Sequence, residues 1–190
     1  MAAEQNSARK PRADAERNRE RLIDSARAAF VAKGGSASLE EIARDAGVGI
    51  GTLYRHFPTR DSLISQVYAS EVSKLGEAAK TLAQTQLPLE ALRQWLLLFV
   101  DYFATKVILL DAFKALVGDT APMTAGAGDV LRSSINMLVE RARDSDDVRD
   151  EAVEPIDLLR ALTGMAGAGA DWRRSAVRMV DLLIAGLQRG

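Results

Sequence analysis

Between Ser38 and Phe57 the sequence leaves the backbone few options. Ser38-Leu39-Glu40-Glu41 is a capping box, in which the Ser38 side chain accepts the Glu41 amide proton while Glu41 reaches back. It opens a short helix with Leu39, Ile42 and Ala43 facing inward. Ala46-Gly47-Val48 makes a turn, and Gly49 to Phe57 forms a second short helix that Pro58 stops. A helix of about two turns, a glycine-containing turn and another short helix form the helix-turn-helix pattern. Ala46 and Gly47 are expected to be small so that the helices cross closely, with Val48, Leu53 and Phe57 fixing the crossing. The outer face then carries Gly49, Ile50, Gly51, Thr52, Tyr54 and Arg55, suited to a major groove about 12 Å wide. Small residues at its start let the backbone and the positive dipole end approach phosphate oxygens.

The rest of the composition agrees with an all-α chain. Apolar residues reach 47% but aromatics only 5%, and Ala and Leu outnumber the β-branched residues a sheet would need. Cysteine is absent, which excludes disulfides, thiolate zinc sites and Cys nucleophiles. His56 is the single histidine, so a multi-His metal centre is excluded and His-dependent catalysis disfavoured. Neither cofactor nor metal is expected. No apolar N-terminal stretch resembles a signal peptide, and the longest apolar runs, such as Trp95 to Val100, are too short for a bilayer. A cytoplasmic protein without membrane association is expected. The net charge of −1 hides an asymmetry: residues 1–60 hold 11 Lys/Arg against 8 Asp/Glu, and residues 61–190 hold 14 against 18.

Met1 to Ala13 lacks periodicity and carries Arg9, Lys10 and Arg12 near Pro11, reading as a disordered basic arm whose three cations are candidate DNA contacts in a groove, a solvated tail being the alternative. Leu22, Ile23, Ala26, Ala29 and Phe30 recur at helical spacing over Asp14 to Lys33, and Gly34-Gly35 end that helix. Thr59 caps a long fourth helix over Arg60 to about Leu82. Further helices are predicted over 88–104, 106–117, 129–143, 153–170 and 172–188, the last with Asp171 as its cap. The count is about nine. The expected organisation is an arm (1–13), a helix-turn-helix domain (14–70) and a larger helical regulatory and dimerisation domain (71–190).

Over roughly Arg17 to Val67 the chain resembles the TetR/AcrR family of bacterial transcriptional regulators. The resemblance rests on Leu39-x-x-Ile42-Ala43, Ala46-Gly47-Val48, Gly51-Thr52-Leu53-Tyr54-Arg55-His56-Phe57 and Arg60-x-x-Leu63. It implies that Thr52 and Tyr54 touch phosphate or base edges and that His56 lies near phosphate at the end of the recognition helix. It implies too that Arg60 binds phosphate where the family usually carries Lys, and that Ser38 offers its amide or hydroxyl to the DNA backbone. Arg55, with its donor fork, and Ile50, which can meet a thymine methyl, are the expected base readers, surface pairing of Arg55 with Asp61 or Glu40 being the alternative. The family often has Ser or Thr in place of Gly49 and a polar residue in place of Ile50, so specificity is expected to lean on DNA shape and backbone contacts.

The resemblance also implies that the C-terminal part binds a small ligand and dimerises. Trp95, Phe99, Tyr102, Phe103 and Phe113, with Met123, are the candidate lining of an apolar ligand pocket, a plain packed core being the alternative. Asp101 and Lys106 within this stripe read as solvated, with ligand orientation the alternative. Leu158, Leu162, Met165, Ala166 and Gly169, then Val180, Leu183 and Leu187, are the candidate residues of a two-fold four-helix interface, packing within the chain alone being the alternative. The function expected is a non-enzymatic, ligand-responsive repressor that binds a near-palindromic operator as a homodimer and associates with the nucleoid when DNA-bound. The rival reading is an all-helical small-molecule carrier or enzyme without DNA binding.

Overall fold

A computed structural model describes residues 9–117, 126–145, 154–165 and 171–188, with side chains described outside 9–12 and 110–117. Eight α-helices run through these residues: α1 (Arg9–Lys33), α2 (Leu39–Asp45), α3 (Ile50–His56), α4 (Arg60–Thr85), α5 (Pro88–Val117), α6 (Ala127–Asp144), α7 (Pro155–Gly164) and α8 (Trp172–Leu187). A 3-10 turn at Gly34–Ser36 follows α1. The chain falls into two compact units, Met1–Ser70 with Ile108–Met123, and Glu71–Val107 with Thr124–Gly190. The all-α class is as expected.

Several boundaries differ from expectation, among them α7, which runs Pro155–Gly164 where a helix over 153–170 is predicted, and two of the differences have a clear physical reason. The first helix begins at Arg9, so Arg9, Lys10 and Arg12 stand on a helix and not on a disordered arm. Pro11 permits this, because a proline in the first turn forfeits only an amide that has no intrahelical partner. The two helices predicted over 88–104 and 106–117 are one helix of 30 residues, α5. Neither Gly nor Pro separates Ala104 from Lys106, and the Thr105 hydroxyl bonds back to the Asp101 carbonyl at 3.2 Å.

In the first unit, α1 supplies Leu22, Ala26 and Phe30, all fully buried, and α4 supplies Leu63, Ile64 and Val67. Ile42 of α2 and Leu53 of α3 are likewise fully buried, and Phe57 is 2% exposed. The turn between the short helices is a Schellman motif: the Val48 amide donates to the Ala43 carbonyl and the Gly47 amide to the Arg44 carbonyl, each at 2.9 Å. Gly47 has φ +68°, and its residue surface is exposed. Gly47 is therefore required for its left-handed backbone, not to let the helices approach. Ala46, 3% exposed, is the small residue at the crossing.

The capping box forms only in part. The Glu41 amide donates to Ser38 Oγ at 3.3 Å, but the Glu41 carboxylate turns to Lys33 Nζ at 2.6 Å. Ser38 Oγ donates instead to Glu40 Oε2 at 2.8 Å. Lys33 holds the Glu41 carboxyl below its ordinary range, and the Ser38 hydroxyl does the same for Glu40.

Two arginines brace this unit in a way that the sequence pattern does not reveal. Arg60 Nη1 donates to the Ala37 carbonyl at 2.6 Å and Nη2 to the Gly35 carbonyl at 2.8 Å, with its guanidinium 5.2 Å from the centre of the Phe30 ring. Arg19 donates to Gln66 and lies 5.8 Å from the centre of the Phe57 ring. Carbonyls at the end of a helix have no intrahelical donor and concentrate negative potential, which draws a cation.

The second unit packs α5 through Leu92, Trp95 and Leu96, α6 through Ile135 and Leu138, α7 through Leu158 and Leu162, and α8 through Val180. Trp95 is fully buried, and its indole Nε1 donates to the Leu75 carbonyl at 2.9 Å. Asp171 occupies the N-cap of α8 as expected, but its side chain makes no capping bond; it lies 3.5 Å from Arg174.

Gly47→Ala should lower stability by about 1–2 kcal/mol in thermal or urea unfolding, the penalty of a left-handed L-residue. Gly49→Ser, at φ −74° with open space around it, should be neutral or stabilising by a few tenths of a kcal/mol. A depressed carboxyl pKa contributes stability above the ordinary Glu value of 4.5 and loses it as pH falls through the folded-state pKa. Glu41→Gln should therefore lower the melting temperature at neutral pH, and the difference should shrink as pH falls through the folded-state pKa and vanish below it.

Candidate functional site

Helix α3 is anchored by Leu53 and by its C-cap residue, Phe57, and it presents a different chemistry outward. Gly49, Ile50, Gly51, Tyr54 and Arg55 are exposed, Ile50 by 37% and Tyr54 by 47%, while Thr52 and His56 are half-buried. One helix, seven residues long, thus brings together an aliphatic group, a phenol, a guanidinium and a hydroxyl. Arg55 has no ion-pair partner among the described residues, so pairing with Asp61 or Glu40 does not occupy its donors. Its side chain is free to meet an acceptor pair such as guanine O6 and N7. His56 lies against Phe57, ring centres 6.1 Å apart.

The Ser38 hydroxyl and the Arg60 guanidinium, both expected at the DNA backbone, make hydrogen bonds within the chain. The Ser38 hydroxyl is committed within its own cap, and the Arg60 guanidinium is committed to Gly35, Ala37 and Phe30. The reason is the same for both: helix ends leave backbone groups that the nearest polar side chain satisfies. Arg9, Lys10 and Arg12 lie on α1, their side chains outside the described set.

The second unit holds a cleft of about 320 Å³, at the small end of ligand sites. Phe99, Tyr102 and Phe103 of α5 line it, facing Leu131 of α6 and Ile156 and Leu159 of α7. Trp95, expected in the lining, is instead core: it stacks on Phe99 with ring centres 5.9 Å apart and spends its N–H on Leu75. Lys106, read as solvated, lines the cleft, whereas Asp101 pairs with Arg173 at the surface. Phe113 is on α5 with its side chain outside the described set, and Met123 lies outside the described residues.

The interface candidates divide. Leu158, Leu162, Val180 and Leu187 are buried within the single chain at 8% exposure or less, while Met165 and Leu183 are half-buried. Ala166 and Gly169 lie outside the described residues. Helical spacing alone could not separate these inward positions from Leu182 and Val177, which are 66% and 37% exposed. Among the described residues no group of His, Cys, Asp or Glu is placed to hold a metal, and no helix is long and apolar enough to cross a membrane.

Residues 22–67 match the model for bacterial regulatory proteins of the tetR family, and residues 87–189 match that for the C-terminal domain of SbtR-like transcriptional regulators. The HTH-type transcriptional regulator SrpR of Pseudomonas putida is 48% identical over 64 residues, which are 33% of this chain and 30% of SrpR. The alignment thus spans under a third of that relative. It reaches 48% of a second Pseudomonas putida regulator, TtgW, which is 45% identical over 64 residues, 33% of this chain. Among solved structures, the TetR transcriptional regulator SCO0520 from Streptomyces coelicolor is 35% identical with a TM-score of 0.80, the match covering 90% of this chain and 98% of that one. A TetR regulatory protein from Mycobacterium vanbaalenii is 32% identical with a TM-score of 0.79, covering 94% and 99%. A head with an exposed, core-anchored α3 and a separate helical unit, matched by family models over 22–67 and 87–189, place the chain in the TetR family of bacterial regulatory proteins.

Proposed function

We propose that this chain is a ligand-responsive transcriptional repressor that binds a near-palindromic DNA operator as a homodimer. The observation that carries the reading is the outward face of α3, where Ile50, Tyr54 and Arg55 stand exposed while Leu53 is fully buried. In this reading α3 enters the major groove. Arg55 reads a base edge with its fork, Ile50 meets a thymine methyl, and Thr52, Tyr54 and His56 hold the sugar-phosphate backbone. Arg60 keeps α4 joined to the turn after α1, so its contribution to DNA binding is positional.

Dimerisation in this reading uses the outer faces of the C-terminal helices. Among the described residues of α6 and α8, Val177, Leu182 and Met137 are the large apolar side chains left exposed. Two copies related by a two-fold axis would carry their recognition helices to successive major grooves about 34 Å apart, which is why the operator should be nearly palindromic. A ligand in the cleft of the second unit would relieve repression only to the extent that it prefers the conformation that releases DNA. A γ-butyrolactone receptor (ArpA-like protein) of similar fold, 20% identical with a TM-score of 0.57, is by its own description a receptor for a small molecule. No arrangement of groups for enzymatic catalysis enters this reading.

Selection of bound sequences from random DNA should enrich a near-palindrome for the wild-type chain. Arg55→Ala should cost about 1–3 kcal/mol of discrimination and relax the preference at one position per half-site. Tyr54→Phe should weaken binding to all sequences alike. Failure to enrich any two-fold sequence would refute the operator reading. Arg60→Met should lower stability by about 1–3 kcal/mol, since it strips two carbonyls of charged donors. It should leave the salt dependence of DNA affinity unchanged; a slope shallower by about one would restore the phosphate role to Arg60.

A further inference from the structure

The cleft between α5, α6 and α7 is apolar in its walls and one-signed in its charge. Phe99 and Phe103 stack with ring centres 6.1 Å apart, and Trp172 meets Phe103 edge-on at 6.1 Å, so the aromatic wall is braced from behind. Three cations line the same space, Lys106, Arg132 and Arg160, and among the described residues the lining holds no carboxylate. Arg160 is already matched by Asp157 at 2.7 Å. Asp101, which precedes Lys106 on α5 by little more than one turn, is matched by Arg173. Lys106 and Arg132 have no carboxylate partner among the described residues.

Lys106 is the more informative of the two. It is half-buried, its Nζ lies 5.8 Å from the centre of the Phe103 ring, and burial pushes its pKa below the ordinary value. An ammonium partly out of water, facing a ring and no anion, gains from any anion that reaches it. A neutral guest gains at most a hydrogen bond or ion–dipole contact from that charge, less than an anion does, and a cationic guest is repelled by it.

We propose that the cleft takes a small organic acid, a compact apolar body bearing a carboxylate, with Lys106 and Arg132 gripping the charge and the Phe99–Phe103 wall and Ile156 packing the body. The proposal rests on the ligand-responsive reading above and specifies the chemistry of that ligand. The cleft volume of about 320 Å³ suits a molecule of one or two fused rings and not a long chain.

The test is calorimetric titration of the full chain with 2-naphthoate and with 2-naphthamide, its uncharged counterpart of the same shape. Naphthoate should bind about tenfold or more tightly than naphthamide, as expected for a charge-assisted hydrogen bond partly out of water. Lys106→Met should remove most of that preference and leave naphthamide binding within about twofold of wild type, while Arg132→Gln should remove a smaller part. Equal affinity for the two compounds, binding of neither, or a Lys106→Met protein that melts normally and keeps the preference would each overturn the proposal. Gel shifts on the selected operator separate this from the reading on which it rests. Naphthamide that releases DNA as well as naphthoate would sink the acid proposal and leave the regulator intact. Naphthoate that binds with the stated preference but never alters DNA affinity would do the reverse.

Discussion

Helices α2 and α3 contain seven residues each, too few to hold their shape in water, because nucleation costs more than one or two turns of hydrogen bonds return. They exist because they pack on α1 and on each other and bury Ile42, Leu53 and Phe57, in a unit where Leu22 and Phe30 of α1 and Leu63 of α4 have no exposure at all. Everything the outer face of α3 does depends on that burial. It also explains why the outer face is chemically free to vary: Gly49, Ile50 and Arg55 stand exposed and so answer to a partner more than to the core.

The head was legible in the sequence because its determinants are local. A capping serine, a glycine needing a left-handed backbone and apolar residues at helical spacing all act within a few positions of themselves. The sequence concealed whatever acts across many positions. Arg60 joins carbonyls 23 and 25 residues away, and Arg19 reaches Gln66, 47 residues on; no spacing rule announces either. The same blindness split α5 in two and left Lys106 in solvent, since whether a lysine on an apolar helix is wet depends on α6 and α7 lying over it. In the C-terminal helices the pattern marked apolar positions correctly but not their direction. Leu158, Leu162 and Val180 turned out to serve the chain's own core, and Leu182 carried the exposure.

Charge plays a small part in holding the second unit together. Arg93 meets Asp181 at 2.8 Å and Arg173 meets Asp101, so both exposed pairs tie α8 to α5, but solvated pairs of this kind contribute about 0–1 kcal/mol each. Burial of Trp95, Leu96, Ile135 and Val180 outweighs them, at about 1.5–3 kcal/mol for a typical large apolar side chain. The residues that hold this unit together are therefore largely distinct from the cations that line its cleft.

Trp95 and Trp172 are the two tryptophans of the chain, and both belong to the second unit, one stacked on Phe99 and the other edge-on to Phe103. The helix-turn-helix residues 14–70 contain tyrosines, Tyr54 and Tyr68, but no tryptophan. Light absorbed above the tyrosine band therefore reports on the indoles packed against Phe99 and Phe103, and not on residues 14–70. The molecule carries its own optical partition: indole emission arises in the second unit alone, and residues 14–70 contribute none of it.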